Sequence, residues 1–174
     1  MIISVETVKK FVKTDELDEV LEAKLQALEL LIRKYTNNNF QNRNVRFVCS
    51  SINGKLQLST NLLKVGDTIE VSQTAFNDGL YVIKAINNNE IELDIPLIEE
   101  PFILITKVTY PFDVQVGVIN MLKWDLSNRN KVGIASESIS RHSVTYFNMD
   151  GDNSIMGYPK SLVGFLKPYV KARF

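Results

Sequence analysis

One cysteine, one histidine and one tryptophan are all that 174 residues contain of those types. A single Cys49 cannot form a disulfide within the chain, which suits a reducing compartment. One Cys and one His cannot fill a tetrahedral structural zinc site with side chains of those kinds. With twenty basic and twenty acidic residues the formal net charge is zero. A protein whose main task is gripping DNA or RNA is usually basic on at least one face, so tight nucleic-acid binding is not expected. No apolar run approaches the roughly 18 residues of a membrane span. The start, "MIISVETVKKFVK", lacks a basic stretch followed by an apolar one, so no secretory signal is expected and the chain is taken to be made in the cytosol. There is no P-loop and no G-x-G-x-x-G.

What is present is 45% hydrophobic and 23% charged, ordinary globular usage at a length that suits one domain or one domain with an insertion. The hydrophobic period divides it in three. In the first forty residues the period is helical. Ser4 can cap a short helix with Val5, Val8, Phe11 and Val12 on one side. A longer helix is expected from Thr14 or Asp15, acidic at its start, with Leu17, Val20, Leu21, Leu25, Leu28, Leu31, Ile32 and Tyr35 in register. Asn37 to Asn39 stop it. From Val45 to Tyr110 the period is two. "VRFVCSSI" and "KLQLS" flank Asn53-Gly54, a strong hairpin signal, and "DTIEVS", "GLYVIKAI", "EIELDI" and "FILITKVTY" follow between turns. Five or six short strands of this kind suit a small SH3-like barrel. From Pro111 the helical period returns. Asp113 can cap a helix carrying Val114, Val118, Met121, Leu122 and Leu126. An extended stretch then runs from Gly133 to Phe147, and "GYPKSLVGFLKPYVKARF" closes the chain. The expected fold is α+β. A helical core of a long helix pair plus C-terminal helices, residues 1–42 and 111–174, carries an inserted barrel module at 43–110.

Residues 111–174 hold eight bases and five acids, and after Asp152 there is no acid at all. Such a tail is a solvated terminus or a docking element for an acidic partner.

The ingredients of catalysis are thin. His142 sits among Ser138, Ser140 and Ser143, but in an extended segment without the G-x-S-x-G turn that raises a nucleophile. "DGDNSI" from Asp150 begins like a calcium loop, yet Ile155 stands where glycine is required and Ser161 where the bidentate glutamate is required. Glu99-Glu100, beside Pro101, reads as a solvated turn. No catalytic residue, cofactor or metal ligand is expected.

The last third resembles a known family. "VINMLKWDLSNRNKVGIASESISRHSVTYF", a polar turn and "GYPKSLVGFLKPYVKARF", together with the opening "ISVETVKKFVKTDELDEVLEAKLQALELLIRKYTNNNF", are similar to the head–tail connector, or neck adaptor, proteins of long-tailed bacteriophages. The resemblance implies a virion protein without catalysis. It would assemble into a ring of twelve beneath the portal, prolong the DNA channel without sequence-specific contact, and offer a surface to the next neck or tail-completion protein. It implies roles for three groups. Leu25, Leu28, Leu31 and Ile32 would contact a neighbouring subunit, and Leu122 and Trp124 would close the core. Ile139, Val144, Tyr146 and Phe147 would form an arm reaching that neighbour, because "SVTYF" has strand propensity and no evident local partner. Tyr158, Pro159, Lys167, Tyr169, Lys171, Arg173 and Phe174 would dock to the portal. The other reading is a neck or tail interaction module whose barrel binds a protein or a sugar.

Overall fold

The computed structural model describes residues 1–128 and 153–172 in full, and 136–139 and 142–145 as backbone. The chain divides into two compact units: residues 1–38 with 110–174, and residues 39–109.

The second unit is a closed antiparallel barrel of six strands. They are β1 (Gln41–Ile52), β2 (Lys55–Gln57), β3 (Thr68–Ser72), β4 (Gly79–Asn87), β5 (Glu90–Leu93) and β6 (Glu100–Val108). Around the barrel the order is β1-β2-β5-β4-β3-β6, and β6 returns to β1. Period two produces it directly. Ile69 and Val71 of β3, Ile91 and Leu93 of β5, and Ile103 and Ile105 of β6 point inward and are buried, with Leu56 and Ile83 beside them. Each such side chain contributes roughly 1.5–3 kcal/mol by leaving water. Closure needs strands that bend, and the register shifts in β1 between Gln41 and Arg46 and between Cys49 and Ser51, and in β4 between Ile83 and Ala85. The β1–β2 hairpin pairs Ile52 with Lys55. Its turn residues Asn53 and Gly54 have φ of 51° and 78°, the left-handed pair that a two-residue hairpin turn demands.

The first unit is built on three helices. Helix α1 (Val5–Phe11) is capped by Ser4, whose Oγ accepts from the Thr7 amide at 3.2 Å. Helix α2 (Asp18–Thr36) buries Leu21, Leu25, Leu28 and Ile32, one stripe at helical spacing. Helix α3 (Phe112–Asn128) buries Val114, Val118, Met121 and Leu122. The chain ends in α4 (Lys160–Val163) and a 3₁₀ segment, Gly164–Tyr169, that packs on α2 and α3 through the buried Leu166. Two short hairpins complete it: β7 (Ser136–Ile139) with β8 (His142–Thr145), and β9 (Ser154–Ile155) with β10 (Tyr158–Pro159).

This corrects the expected architecture. Among the described residues the largest regular element is the closed six-stranded barrel, the helices are short, and no core made of a long helix pair is seen. Helix α1 has only seven residues. Helix α2 begins at Asp18, not at Thr14 or Asp15, because the Thr14 hydroxyl accepts the Glu16 amide in a local turn, and Leu17 is the N-cap. Beyond Pro159 only one turn is α-helical before the chain tightens into 3₁₀ geometry with Pro168 inside it. The barrel module is present.

Candidate functional site

The barrel's most distinctive surface is assembled from three turns. Strand β1 is twelve residues long, so Ser51 lies about 30 Å along it from Gln41, where the strand begins. Around Ser51 gather the β1–β2 turn, the loop between β3 and β4, and the segment leading into β6. Asn77 holds the last two together. Its Oδ1 accepts the Ile98 amide at 2.8 Å, and its Nδ2 donates to the Ile98 carbonyl at 2.9 Å and to Glu100 Oε1 at 3.0 Å. Glu100 in turn accepts the amides of Ala75 at 3.1 Å and Phe76 at 3.0 Å. Ser51 Oγ donates to the Ile98 carbonyl at 2.6 Å and accepts the Glu100 amide at 2.9 Å. Glu99 accepts the Asn53 amide at 2.9 Å, and the Leu97 amide bonds to the Gly54 carbonyl at 3.1 Å. Buried polar groups satisfied in this way give a loop one conformation rather than many.

What this network holds up is apolar. Phe76 is 74% exposed and Phe102 73%, and Ile98 and Ile52 are exposed as well. Acidic side chains surround them. Asp78, whose carboxylate accepts the Thr74 amide and hydroxyl, Glu99 and Glu100 have no ion pair among the described residues. Lys55, on the same hairpin, is engaged by Glu90 at 3.1 Å. Tyr81 senses this field: burial first, then the carboxylates of Asp94 and Asp78, push its phenol above its ordinary pKa. The surface is therefore an acidic, apolar platform whose loops are tied together by hydrogen bonds. Sequence reading missed it. It took Glu99-Glu100 for a solvated turn, whereas Glu100 bonds the backbone of a loop more than twenty residues earlier in the chain. The available signal was Phe76 and Phe102 at solvent-facing positions beside Asn77 and Glu100.

In the first unit a second surface forms where the C-terminal segment runs along the helices. The Lys171 amide donates to the Thr36 carbonyl at 2.8 Å, Asn37 Nδ2 to the Ala172 carbonyl at 2.8 Å, and Asn38 Nδ2 to the Tyr169 carbonyl at 3.2 Å. Asn37, at φ 48°, closes α2 and presents its amide there. The Tyr169 hydroxyl reaches both Asp113 oxygens at 2.8 Å, which raises its pKa. Phe112, 85% exposed, and Val116 project from the outer side of α3, Val170 is exposed as well, and Lys167 and Lys171 are exposed.

The expected site residues fall as follows. Tyr158 and Pro159 are buried in their own unit. Tyr158 packs on Trp124 with ring centroids 5.3 Å apart and donates to Asp125 at 3.2 Å. Neither presents a docking surface as it stands. Lys167 and Lys171 lie at the surface and Tyr169 is half-buried, while Arg173 and Phe174 lie outside the described residues. Leu25, Leu28 and Ile32 are buried within the subunit, so they serve its own core. Leu31 and Leu28 line a cleft of about 340 Å³ with Asp125, Met156 and Tyr158. Leu122 is fully buried and Trp124 half-buried. Ile139 ends β7 and Val144 lies in β8; Tyr146 and Phe147 are outside the described residues. One premise of the arm expectation is corrected: "SVT" does have a local partner, since Val144 pairs with Glu137 and Ser143 with Ser138. His142 stands opposite Ile139 in that hairpin. Asp150 and Asp152 lie outside the described residues, and Ser154 and Ile155 form β9.

A buried polar pocket in the same unit is structural. Glu29 accepts the Tyr110 hydroxyl at 2.7 Å and pairs with the Met1 ammonium at 3.2 Å. Burial, then Glu29, drive the Tyr110 phenol far above its usual pKa. Among the described residues no group of three or more His, Cys, Asp or Glu is placed to hold a metal ion. No described helix is long and apolar enough to cross a membrane.

No family model matches this chain, and no curated protein does.

Proposed function

We propose that this chain is a structural protein of a bacteriophage neck. It is a head–tail connector that assembles into a ring beneath the portal, continues the DNA channel and gives the next neck or tail-completion protein a place to dock. The order of segments in its last third supports this: a helix, "GIASESISRHSVTY", a polar turn, and a closing "LKPYVKAR". The observation that carries it is the pair of unlike exposed surfaces, one acidic and apolar on the barrel, the other basic and apolar beside α3. A closed ring needs a heterologous interface, with two different complementary faces on every subunit. The short α1 and α2 do not enter this reading as the ring's framework. Zero net charge suits a conduit, since a strongly basic lining would bind phosphates and slow passage. The reading requires no cofactor and no catalysis, and it puts the protein in the host cytoplasm during assembly and in the virion neck afterwards.

The experiment is imaging by negative stain of the purified chain with portal protein from the same genome. Added density on one face of the portal is the expected result. Portals unaltered at saturating chain concentration contradict it.

The exposed rings of Phe76 and Phe102 also favour a second reading, in which the barrel binds a separate protein or sugar partner in the neck or tail. A peptide and glycan binding screen on the full chain, repeated with Phe76→Ser, separates the two.

A further inference from the structure

We propose that the acidic, apolar end of the barrel in one copy receives the basic, apolar face of a second copy, the face formed by α3 and the C-terminal segment. The inference rests on the self-assembly part of the neck reading and specifies which surfaces meet.

Both surfaces are exposed, and they are opposite in charge. On the barrel, Phe76, Ile98 and Phe102 stand among Asp78, Glu99 and Glu100, none of them ion-paired among the described residues. On the other face, Phe112 and Val116 lie one turn apart on α3. The bond from Tyr169 to Asp113 ties the C-terminal segment to the start of that helix, and the Lys171 amide bonds to the Thr36 carbonyl; Val170, Lys167 and Lys171 of that segment are exposed. Lys167 and Lys171 have no ion pair among the described residues either. Asp113, at the start of the same helix, accepts the Tyr169 hydroxyl, which lies 2.8 Å from both of its oxygens. Aromatic side chains at the centre with opposite charges around them is the usual anatomy of a specific protein interface. The charges supply orientation and rule out pairing like with like, since two barrel ends, or two tail faces, repel. The contact is therefore head to tail.

The barrel side is preorganised. Phe76 rides on a loop fixed by Asn77 and Glu100, so little entropy is lost when it docks. Phe102 rides on a strand that is paired with β1.

The test is sedimentation velocity on the full chain over a wide concentration range at low and high salt. Two variants are compared with the parent: Glu99→Lys with Phe102→Lys, which makes the barrel end basic and removes one central aromatic, and Lys167→Glu with Lys171→Glu, which reverses the charge of the other face. All four positions are exposed; Glu99→Lys also gives up the bond from the Asn53 amide, so that variant should melt slightly below the parent, and association is compared at a temperature where all chains are folded. The parent is expected to associate with concentration and to weaken with salt. Each variant alone should associate at least about tenfold more weakly. Mixed in equal amounts, the two variants should regain association, because each then offers the other a complementary pair of faces. If the parent associates but both variants do so equally well, the interface is wrong while self-assembly stands. If the parent remains monomeric throughout, the inference fails, and the neck reading then depends on the portal experiment alone.

Discussion

The tip of the Phe165 ring fills the notch left by Gly117. A Cβ on Gly117 would stand 2.2 Å from Phe165 Cζ and 2.4 Å from both ε carbons, so any larger residue at this point of α3 forces the ring to shift. This contact seats the C-terminal segment on the helices. Alanine in a helix interior is ordinarily better than glycine by up to about 1 kcal/mol. Here the overpacking cost of about 1–3 kcal/mol should win. Gly117→Ala is expected to lower stability in chemical denaturation, and Gly117→Ala in a Phe165→Ala background is expected to raise it. A stabilising effect in both backgrounds would show that the ring moves aside freely.

Asn77 is predicted to be the most sensitive polar residue of the barrel's turn network. Asn77→Ala strips partners from the Ile98 amide and carbonyl and from Glu100 together. Unmaking buried hydrogen bonds of this kind costs about 2–3 kcal/mol. Denaturant titration should show that loss, and amide exchange should quicken at Phe76 and Ile98 more than in β3.

Cys49 gives a pH prediction. Burial pushes its thiol up to about 11 from an ordinary 9.0. At pH 8 the folded chain therefore holds little thiolate, and disulfide reagents should label it slowly until it unfolds. The sign of the stability effect follows. Between pH 9 and about 11 the unfolded chain has lost the proton and the folded one keeps it. The unfolded state then binds fewer protons, and stability falls as pH rises through this window. Cys49→Ala should lose that part of the alkaline slope.

What the sequence made legible was local. Asn53-Gly54 announced a hairpin because few residue pairs tolerate two left-handed backbones in a row. The alternation through "TIEVS" and "EIEL" fixed which side chains point inward. Asn37 marked the end of α2. What stayed hidden depended on contacts between segments distant in sequence. Nothing near Glu100 shows that it bonds the amides of residues 75 and 76. Nothing near Lys171 shows that its amide is taken by Thr36. The balance between helices and barrel was misjudged for a related reason. Helical periodicity extends through residues 14–17, but the Thr14 hydroxyl competes for the backbone there. The heptad-like stripe of α2 was given partly to a neighbour, when Leu25, Leu28 and Ile32 are consumed by the subunit's own core. The local partner of "SVT" is hard to see because "SESI" is largely polar and carries no strand signal of its own.

The C-terminal segment also needs a gentler test than truncation. Removing residues 167–174 deletes the bonds to Thr36, Asn37, Asn38 and Asp113, so a truncated chain should lose stability as well as any docking function. Lys167→Glu with Lys171→Glu leaves those backbone bonds in place. Its melting temperature should change by no more than a degree or two, whereas truncation should lower it clearly. Equal melting temperatures for the two would show that the segment does not stabilise α2.

The central claim is that the chain is a ring component beneath a portal. Cryo-electron microscopy of the purified chain bound to the portal of the same genome tests it most directly. The expected result is a ring of repeating subunits, twelve by the family resemblance, with its channel continuing that of the portal. A portal that acquires no additional density, or a chain bound singly away from the channel axis, would contradict it.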